Sequence, residues 1–382
     1  MKIFSGRDYE RMIKNSAKRM LLITGIIMLA IVVGMIVIRD HGIDTDITAK
    51  RTKVGLVLIG DRKDASYSQA HYDALMKLKE ELNLEILCRD HVPEDESCRE
   101  AVRELIEKEG CRIIIGGSFG YGPYILEMAK LHPETCFLHA TGTEKNTNLA
   151  SYMGRMYQAR YLAGIVAGMR TESGQIGYVA AFPYSEVIRG INAFTQGVRS
   201  VAPEAEVYVC YCDSWENDGA AEAAGRKLLG SRPGIDVLTL HNDSLKPLQV
   251  ADEMGIWSIG YNMDNAALFP DTYLTACVWN WEVYYREKIL SVLQGKFYGE
   301  YDWIGMEDGI VGLSELTGNV APGTKKAVEE AAARFSGRRF DVFYGPVTDN
   351  EGRLRVPEGE SMSDDEMLNR FDWYVEGVIV EE

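Results

Sequence analysis

Apolar positions along this chain alternate between short, near-continuous runs and stripes spaced by three or four residues. Lys53 to Ile59 (KVGLVLI) is a run of strand length, and Tyr67 to Leu82 sets Leu75, Leu78 and Leu82 along one side of a helix. The same alternation predicts a strand at Leu84 to Cys88, a helix from Ser97, its expected N-cap, to Lys108, and a strand at Arg112 to Ile115. A helix at Tyr121 to Leu131 and a strand at Cys136 to His139 continue it. Strands apolar on both faces and separated by helices predict a parallel sheet covered on each side.

Midway the pattern restarts. Tyr157 to Arg170 has helical spacing and gathers Ala163, Gly164, Ala167 and Gly168, small enough for a neighbouring backbone to approach closely. Thr171-Glu172-Ser173-Gly174 breaks that helix, Gln175 to Ala181 reads as a buried strand, and Pro183 suits the start of a helix reaching Val201. Further strands are expected at Glu206 to Tyr211, Asp236 to Leu240 and Gly255 to Ile259. An amphipathic helix at Trp281 to Gln294 is expected to return to the first unit. Glu307 to Leu313 and the helix Thr324 to Phe335 return to the second, and Phe340 to Val380 reads as hairpin and turn. The expected fold class is α/β with two lobes: 53–172 with about 260–305 in lobe one, 173–259 with about 306–345 in lobe two, and a C-terminal tail over 346–382. Several crossings between the lobes make a hinged cleft, lined by loops at the carboxyl ends of the strands.

At the N-terminus Lys2, Arg7, Arg11, Lys14, Lys18 and Arg19 precede an uncharged apolar run from Met20 to Ile38. As a helix that run covers roughly 28 Å, close to the hydrocarbon thickness of a bilayer, and its basic flank belongs in the cytoplasm. The expectation is a basic cytoplasmic segment over 1–19, one transmembrane anchor over 20–38, a stalk over 39–52 and an extracytoplasmic remainder on the cell membrane. Arg39-Asp40-His41 follows the run where a cleaved signal would carry small residues, and no cysteine precedes Cys88 to accept a lipid.

Composition removes several function classes. A formal charge of -16 argues against a general nucleic-acid surface, which needs clustered Lys and Arg. The seven cysteines show no regular disulfide framework; Cys210 and Cys212 share one strand face, leaving Cys88 with Cys98 as the one pair of interest. Six scattered histidines and no C-x-x-C pair predict no metal, and no G-x-G-x-x-G or Walker pattern signals a nucleotide cofactor. Gly116-Gly117-Ser118-Phe119-Gly120 matches a G-x-S-x-G nucleophile elbow, yet the last histidine, His241, falls inside the second lobe. Those glycines better serve to bring backbone N–H groups toward a ligand at a helix start.

Aromatic residues collect at the predicted strand ends: Tyr67, Phe119, Trp215, Tyr261, Trp279 and Trp281. Polar residues beside them, Asp61, Gln69, Asp243, Asn262, Asp264 and Asn280, offer hydrogen bonds to a flat heterocycle or its sugar. The candidate ligand-binding set is Tyr67, Gln69, Phe119, Trp215, Asp243, Asn262, Asp264, Trp279 and Trp281. No nucleophile or acid–base pair accompanies it, so binding without catalysis is the expected activity.

Long segments in order, among them GDRKDASYSQAHYDAL, GGSFGYGP, DSWENDGAAEAAGRKLL, HNDSLKPLQVADEMG and YNMDNAALFPDTYLTACVWNW, resemble the basic membrane protein family of substrate-binding proteins across nearly all of Lys53 to Val378. The resemblance implies a type I periplasmic-binding-protein fold and capture of a purine nucleobase or nucleoside for the permease subunits of an ABC importer. It puts a base-stacking aromatic at Tyr67, an opposing aromatic at Trp215 and a ribose-binding carboxylate at Asp264. Ser68 stands where many members carry Asn, and Trp279 where many carry Lys; the Trp279-Asn280-Trp281 pattern is similar to the branch of adenine binders. A membrane-tethered purine sensor built on the same fold is the alternative.

Overall fold

Along the first lobe of the computed structural model the chain runs β1 (Thr52–Val57), α1 (Tyr67–Leu78), β2 (Leu84–Arg89), α2 (Glu96–Glu107), β3 (Ile113–Gly116), α3 (Gly122–Leu131), β4 (Cys136–Ala140) and β5 (Leu149–Gly154). It then crosses at Arg155 into α4 (Met156–Arg170), β6 (Gln175–Ala180), α5 (Ser185–Val201), β7 (Glu206–Tyr211), α6 (Asp218–Ser231), β8 (Val237–His241), α7 (Lys246–Glu253), β9 (Trp257–Asn262) and β10 (Tyr273–Trp279). Asn280 carries it back to α8 (Trp281–Leu293) and β11 (Tyr301–Ile304). A third crossing near Gly305 leads to β12 (Val311–Leu313), α9 (Thr324–Phe335), the hairpin β13 (Val347–Thr348) and β14 (Leu354–Val356), α10 (Asp364–Asn369) and β15 (Val378–Val380). The structure describes residues 51–335 and 340–381. The expected basic segment, the transmembrane anchor and all but the end of the stalk lie outside them. Among the described residues no helix is long and apolar enough to cross a membrane.

The first sheet has the order β11-β5-β4-β3-β1-β2 and the second β12-β10-β9-β8-β6-β7-β15. Within these two sheets every ladder is parallel except β10 with β12. Crossover helices bury the strands from both sides: Val54, Leu56, Ile113, Ile115 and Leu138 in lobe one are fully buried, as are Ile176, Val179, Leu238 and Ile259 in lobe two.

Four boundaries differ from the sequence reading. Tyr273–Trp279 pairs with β9, so the chain returns to lobe one at Asn280 rather than near residue 260. The helix α4 packs on α5 of lobe two, moving the first crossing from residue 172 to Arg155. The small-residue stripe causes this: a Cβ on Gly164 would lie 2.0 Å from the Phe194 carbonyl oxygen, and one on Gly197 would lie 1.9 Å from that of Tyr161. Asp95, not Ser97, caps α2, accepting from the Ser97 N–H at 2.8 Å. The tail is more than hairpin and turn, because β15 extends the second sheet beside β7.

Candidate functional site

The loop before α1 is built around one carboxylate. Asp64 accepts from the backbone N–H groups of Ser66 (2.8 Å), Ser68 (2.9 Å) and Gln69 (3.0 Å), satisfying the free donors of the helix start. That fixes Tyr67 at the first position of α1, where its ring meets His71 edge-on at 4.7 Å. The Tyr67 hydroxyl is buried, with the Thr141 side chain as its polar neighbour.

Facing it, the carboxyl ends of β8 and β9 present Asp243 and Asn262. Asn262 has φ 72°, a left-handed conformation that Asn tolerates better than most residues, and this turns its carboxamide toward the other lobe. Its Nδ2 donates to Ser66 Oγ (2.9 Å) across the cleft and to Asp243 Oδ1 (2.7 Å), while its Oδ1 accepts from Trp279 Nε1 (3.0 Å). A second cross-lobe bond joins Asn265 Nδ2 to the Ala65 carbonyl at 3.0 Å. The Asp243 backbone N–H donates to the Trp215 carbonyl at 2.8 Å, which ties the two loops together. Trp215 in turn meets His241 edge-on at 6.0 Å and Phe182 at 6.4 Å.

Behind this layer Trp281 stacks between Trp279 (4.4 Å, 10°) and His71 (4.6 Å, 13°). Both its faces are covered by protein, so Trp281 supports the wall rather than offering a platform. His71 is held by Tyr285 Oη at 2.6 Å, and burial pushes its pKa down to about 3, leaving it neutral.

The electrostatics of the cleft are acidic. Burial, reinforced by the neighbouring Asp64, Glu216 and Glu186 carboxylates, pushes Asp243 well above the usual carboxylate range against the opposing Asn262 hydrogen bond. Burial also raises the Tyr67 phenol, with Tyr285, Asp243 and Glu186 adding to it. Under the floor, His241 contacts Glu186 Oε1 at 3.3 Å and Tyr178 Oη at 3.1 Å. Burial and Arg160 depress that histidine to about 4. Burial acts upward on Glu186, yet His241, Arg189 and Arg160 hold it below its ordinary value. Arg160 is fully buried, donates to the Leu240 carbonyl at 2.8 Å and lies 4.1 Å over the Tyr261 ring.

The structure thus gathers Tyr67, Trp215, Asp243, Asn262 and Trp279, with Trp281 behind them. Three candidates stand elsewhere. Gln69 accepts from the Ala65 N–H at 3.0 Å and donates to Asp73 at 3.2 Å, bracing the loop. Phe119 is 66% exposed on a short turn. Asp264 is exposed and caps the turn Ala266–Leu268, accepting from the Ala266 N–H at 3.0 Å. Sequence reasoning missed Asp64, Ser66, Glu186, His241 and Arg160; only Asp64 and Ser66 carried a local signal, as capping residues just before an apolar helix.

The nucleophile-elbow pattern has no activated serine. Ser118 Oγ donates to Glu94 at 2.5 Å, and His139 Nε2 meets the Ser118 carbonyl at 2.8 Å rather than its hydroxyl. Among the described residues no three His, Cys, Asp or Glu groups converge as metal ligands. Cys88 and Cys98 are both free thiols.

Residues 51–336 match the family model described as ABC transporter substrate-binding protein, PnrA-like. A purine-binding protein of Brucella abortus is 33% identical over 86% of this chain and 93% of its own length. A Haloferax volcanii protein, provisionally named an ABC transporter glucose-binding protein, is also 33% identical, over 84% of this chain and 79% of its own. Among solved structures, an ABC transporter solute-binding protein from Conexibacter woesei superposes with a TM-score of 0.65 at 19% identity, covering 76% of this chain and 98% of that one. That likeness concerns the fold alone.

Proposed function

This chain belongs to the family of PnrA-like ABC transporter substrate-binding proteins, and from that premise we propose that it captures a purine nucleobase or nucleoside, an adenine-like base above all. It then delivers that ligand to the permease subunits of an ABC importer. Binding takes place outside the cell membrane, and no catalysis follows. The observation that carries the reading is the cross-lobe layer in which Ser66, Asn262 and Asp243 join the loop of Tyr67 to the loop of Trp215. A flat ring between those two aromatics touches both lobes at once, so binding and closure are one event. The purine-binding relative points to the same ligand class, whereas the glucose-named relative makes a sugar the competitor to test.

The experiment is mass spectrometry of the ligand that co-purifies with the full chain, followed by titration calorimetry with adenine, adenosine, guanine and glucose. A purine is expected in the co-purified fraction and in the calorimeter. Glucose binding with every purine silent overturns the proposal.

A further inference from the structure

We infer that the C-terminal tail latches the hinge. By seating a lobe-one tryptophan, Trp303, against lobe two, it favours the closed arrangement of the two lobes over the open one. The tail here means the residues after 336, where the family match ends. Neither Trp303 nor the tail belongs to the candidate ligand-binding set, so the latch acts on closure rather than on recognition and holds whatever the ligand is.

Two of the three crossings between the lobes meet at this point. Arg155 begins the first, and Trp303 and Ile304 lead into the third; the Arg155 backbone N–H donates to the Ile304 carbonyl at 2.7 Å and its Nε to the Trp303 carbonyl at 3.2 Å. Trp303 stands on β11, the edge strand of the first sheet. Two guanidiniums lie over its indole, that of Arg155 at 3.9 Å from the ring centroid and that of Arg189 from α5 at 5.2 Å. Both arginines are committed to the tail. Arg155 grips Asp364 of α10 at 2.9 and 2.6 Å, and Arg189 donates to the Met367 carbonyl. Phe343, Met367 and Phe371 of the tail join Tyr157 and Ile188 of lobe two in one apolar cluster with Trp303, whose exposure is down to 9%.

Opening the cleft turns lobe one about the crossings and carries β11 with it. The tail cannot follow, because Arg189 and Asn192 of α5 hold it and β15 pairs with β7, all within lobe two. Trp303 therefore leaves its socket when the lobes part. In the arrangement described here the lobes are joined, Asn262 to Ser66 and Asn265 to Ala65, and the socket is complete. Pulling the indole out exposes apolar surface and separates it from two guanidiniums, a cost borne by the open state alone. The Arg155–Asp364 pair is too exposed for its charges to contribute much by themselves. Its two-pronged geometry instead fixes the plane of the Arg155 guanidinium over Trp303. A ligand that needs both lobes binds the closed state, so its apparent affinity depends on the closed fraction that the latch sets.

The test is hydrogen exchange read by mass spectrometry on the ligand-free full chain in detergent, comparing native protein with Asp364→Ala and Trp303→Leu. Exchange in the facing cleft loops, Ala65 to Tyr67 and Asn262 to Asn265, is expected to quicken about 2- to 5-fold in Asp364→Ala. In Trp303→Leu it is expected to quicken about 5- to 30-fold. Strands β3 and β8, inside the two sheets, are expected to exchange as in the native chain. Asp365→Ala is the matched control: it removes exposed bonds to Asn369 and Arg370 within α10 and is expected to leave the cleft loops unchanged. Cleft exchange that is unchanged or slower in Asp364→Ala overturns the proposal, as does an equal rise in Asp365→Ala. A rise spread evenly over β3 and β8 also overturns it, since the tail would then only stabilise the fold; should Trp303→Leu fail to fold, Asp364→Ala decides alone. Adenine affinity by calorimetry is expected to fall in each variant by no more than the factor by which exchange rises. A native chain that binds no purine counts against the purine reading and leaves the exchange result standing.

Discussion

Tyr67 and Trp215 are single residues whose positions are dictated by polar atoms close to them in the chain or in the cleft. Tyr67 follows the Asp64 cap, and Trp215 is tied through its carbonyl to Asp243. Stacking on an aromatic is worth about 1–3 kcal/mol per base, so Tyr67→Ala and Trp215→Ala are each expected to weaken adenine binding roughly 5- to 150-fold by calorimetry. Unchanged affinity in both variants removes the ligand from this cleft. Asp264→Asn discriminates further: as a turn cap exposed to solvent, Asp264 is expected to leave adenine and adenosine affinity within about threefold of native. A larger loss confined to adenosine would restore the ribose contact that the family resemblance implies. The aromatics were legible in the sequence because they stand at strand ends and helix starts, which turn residues mark. Which of Asn262 and Asp264 faces the cleft was not legible, since it depends on the left-handed φ of Asn262. Glu186 and His241 were hidden for another reason, being partners 55 residues apart on different elements.

At the scale of elements, the α4–α5 contact shows how much a stripe of small residues can and cannot reveal. Ala163, Gly164, Ala167 and Gly168 announce a close approach, but nothing local says whether the approaching backbone is in lobe one or lobe two. The answer lies in Gly197, on a helix that follows, which opens the matching gap. Gly164→Val is expected to force these helices apart, at a cost of about 1–3 kcal/mol, and to lower the melting temperature by roughly 2–12 °C. Gly230→Ala on α6 is the matched control: a Cβ there meets nothing within 4 Å, and calorimetric melting is expected to be unchanged or slightly higher. Equal destabilisation by both would overturn the packing account, since replacing glycine raises helix propensity at either position. The strand Tyr273–Trp279 was missed for a related reason. Its apolar run was legible, but the sheet it joins is set by pairing with β9, and the long, turn-rich segment between them resembles a crossing.

The whole molecule joins a binding unit that begins at Thr52 to a tail that the family match does not reach. That match ends at residue 336, whereas β15 pairs with β7 and Asn192 of α5 clasps the tail through the Trp373 carbonyl (2.8 Å) and the Val375 N–H (3.0 Å). Arg155, at the first crossing between lobes, pairs with Asp364 of α10 through both guanidinium nitrogens at 2.9 and 2.6 Å. The tail is thus a part of lobe two that reaches the hinge. The opposite end of the chain carries the remaining prediction. Met20 to Ile38 contains no charged side chain, six basic residues precede it, and Arg39-Asp40 closes it where a signal peptidase would need small residues. The prediction is that this run holds the binding unit at the membrane surface. Protein extracted from membranes with detergent is expected to retain this run in an intact-mass measurement and to stay with the membrane after high-salt washing. A mature N-terminus beyond Arg39, or release by salt alone, would sink the anchor and leave the binding unit free to diffuse. Retention would instead confine each binding unit within a stalk's length of the bilayer, where its permease partner lies, raising their effective concentration without any added contact between them.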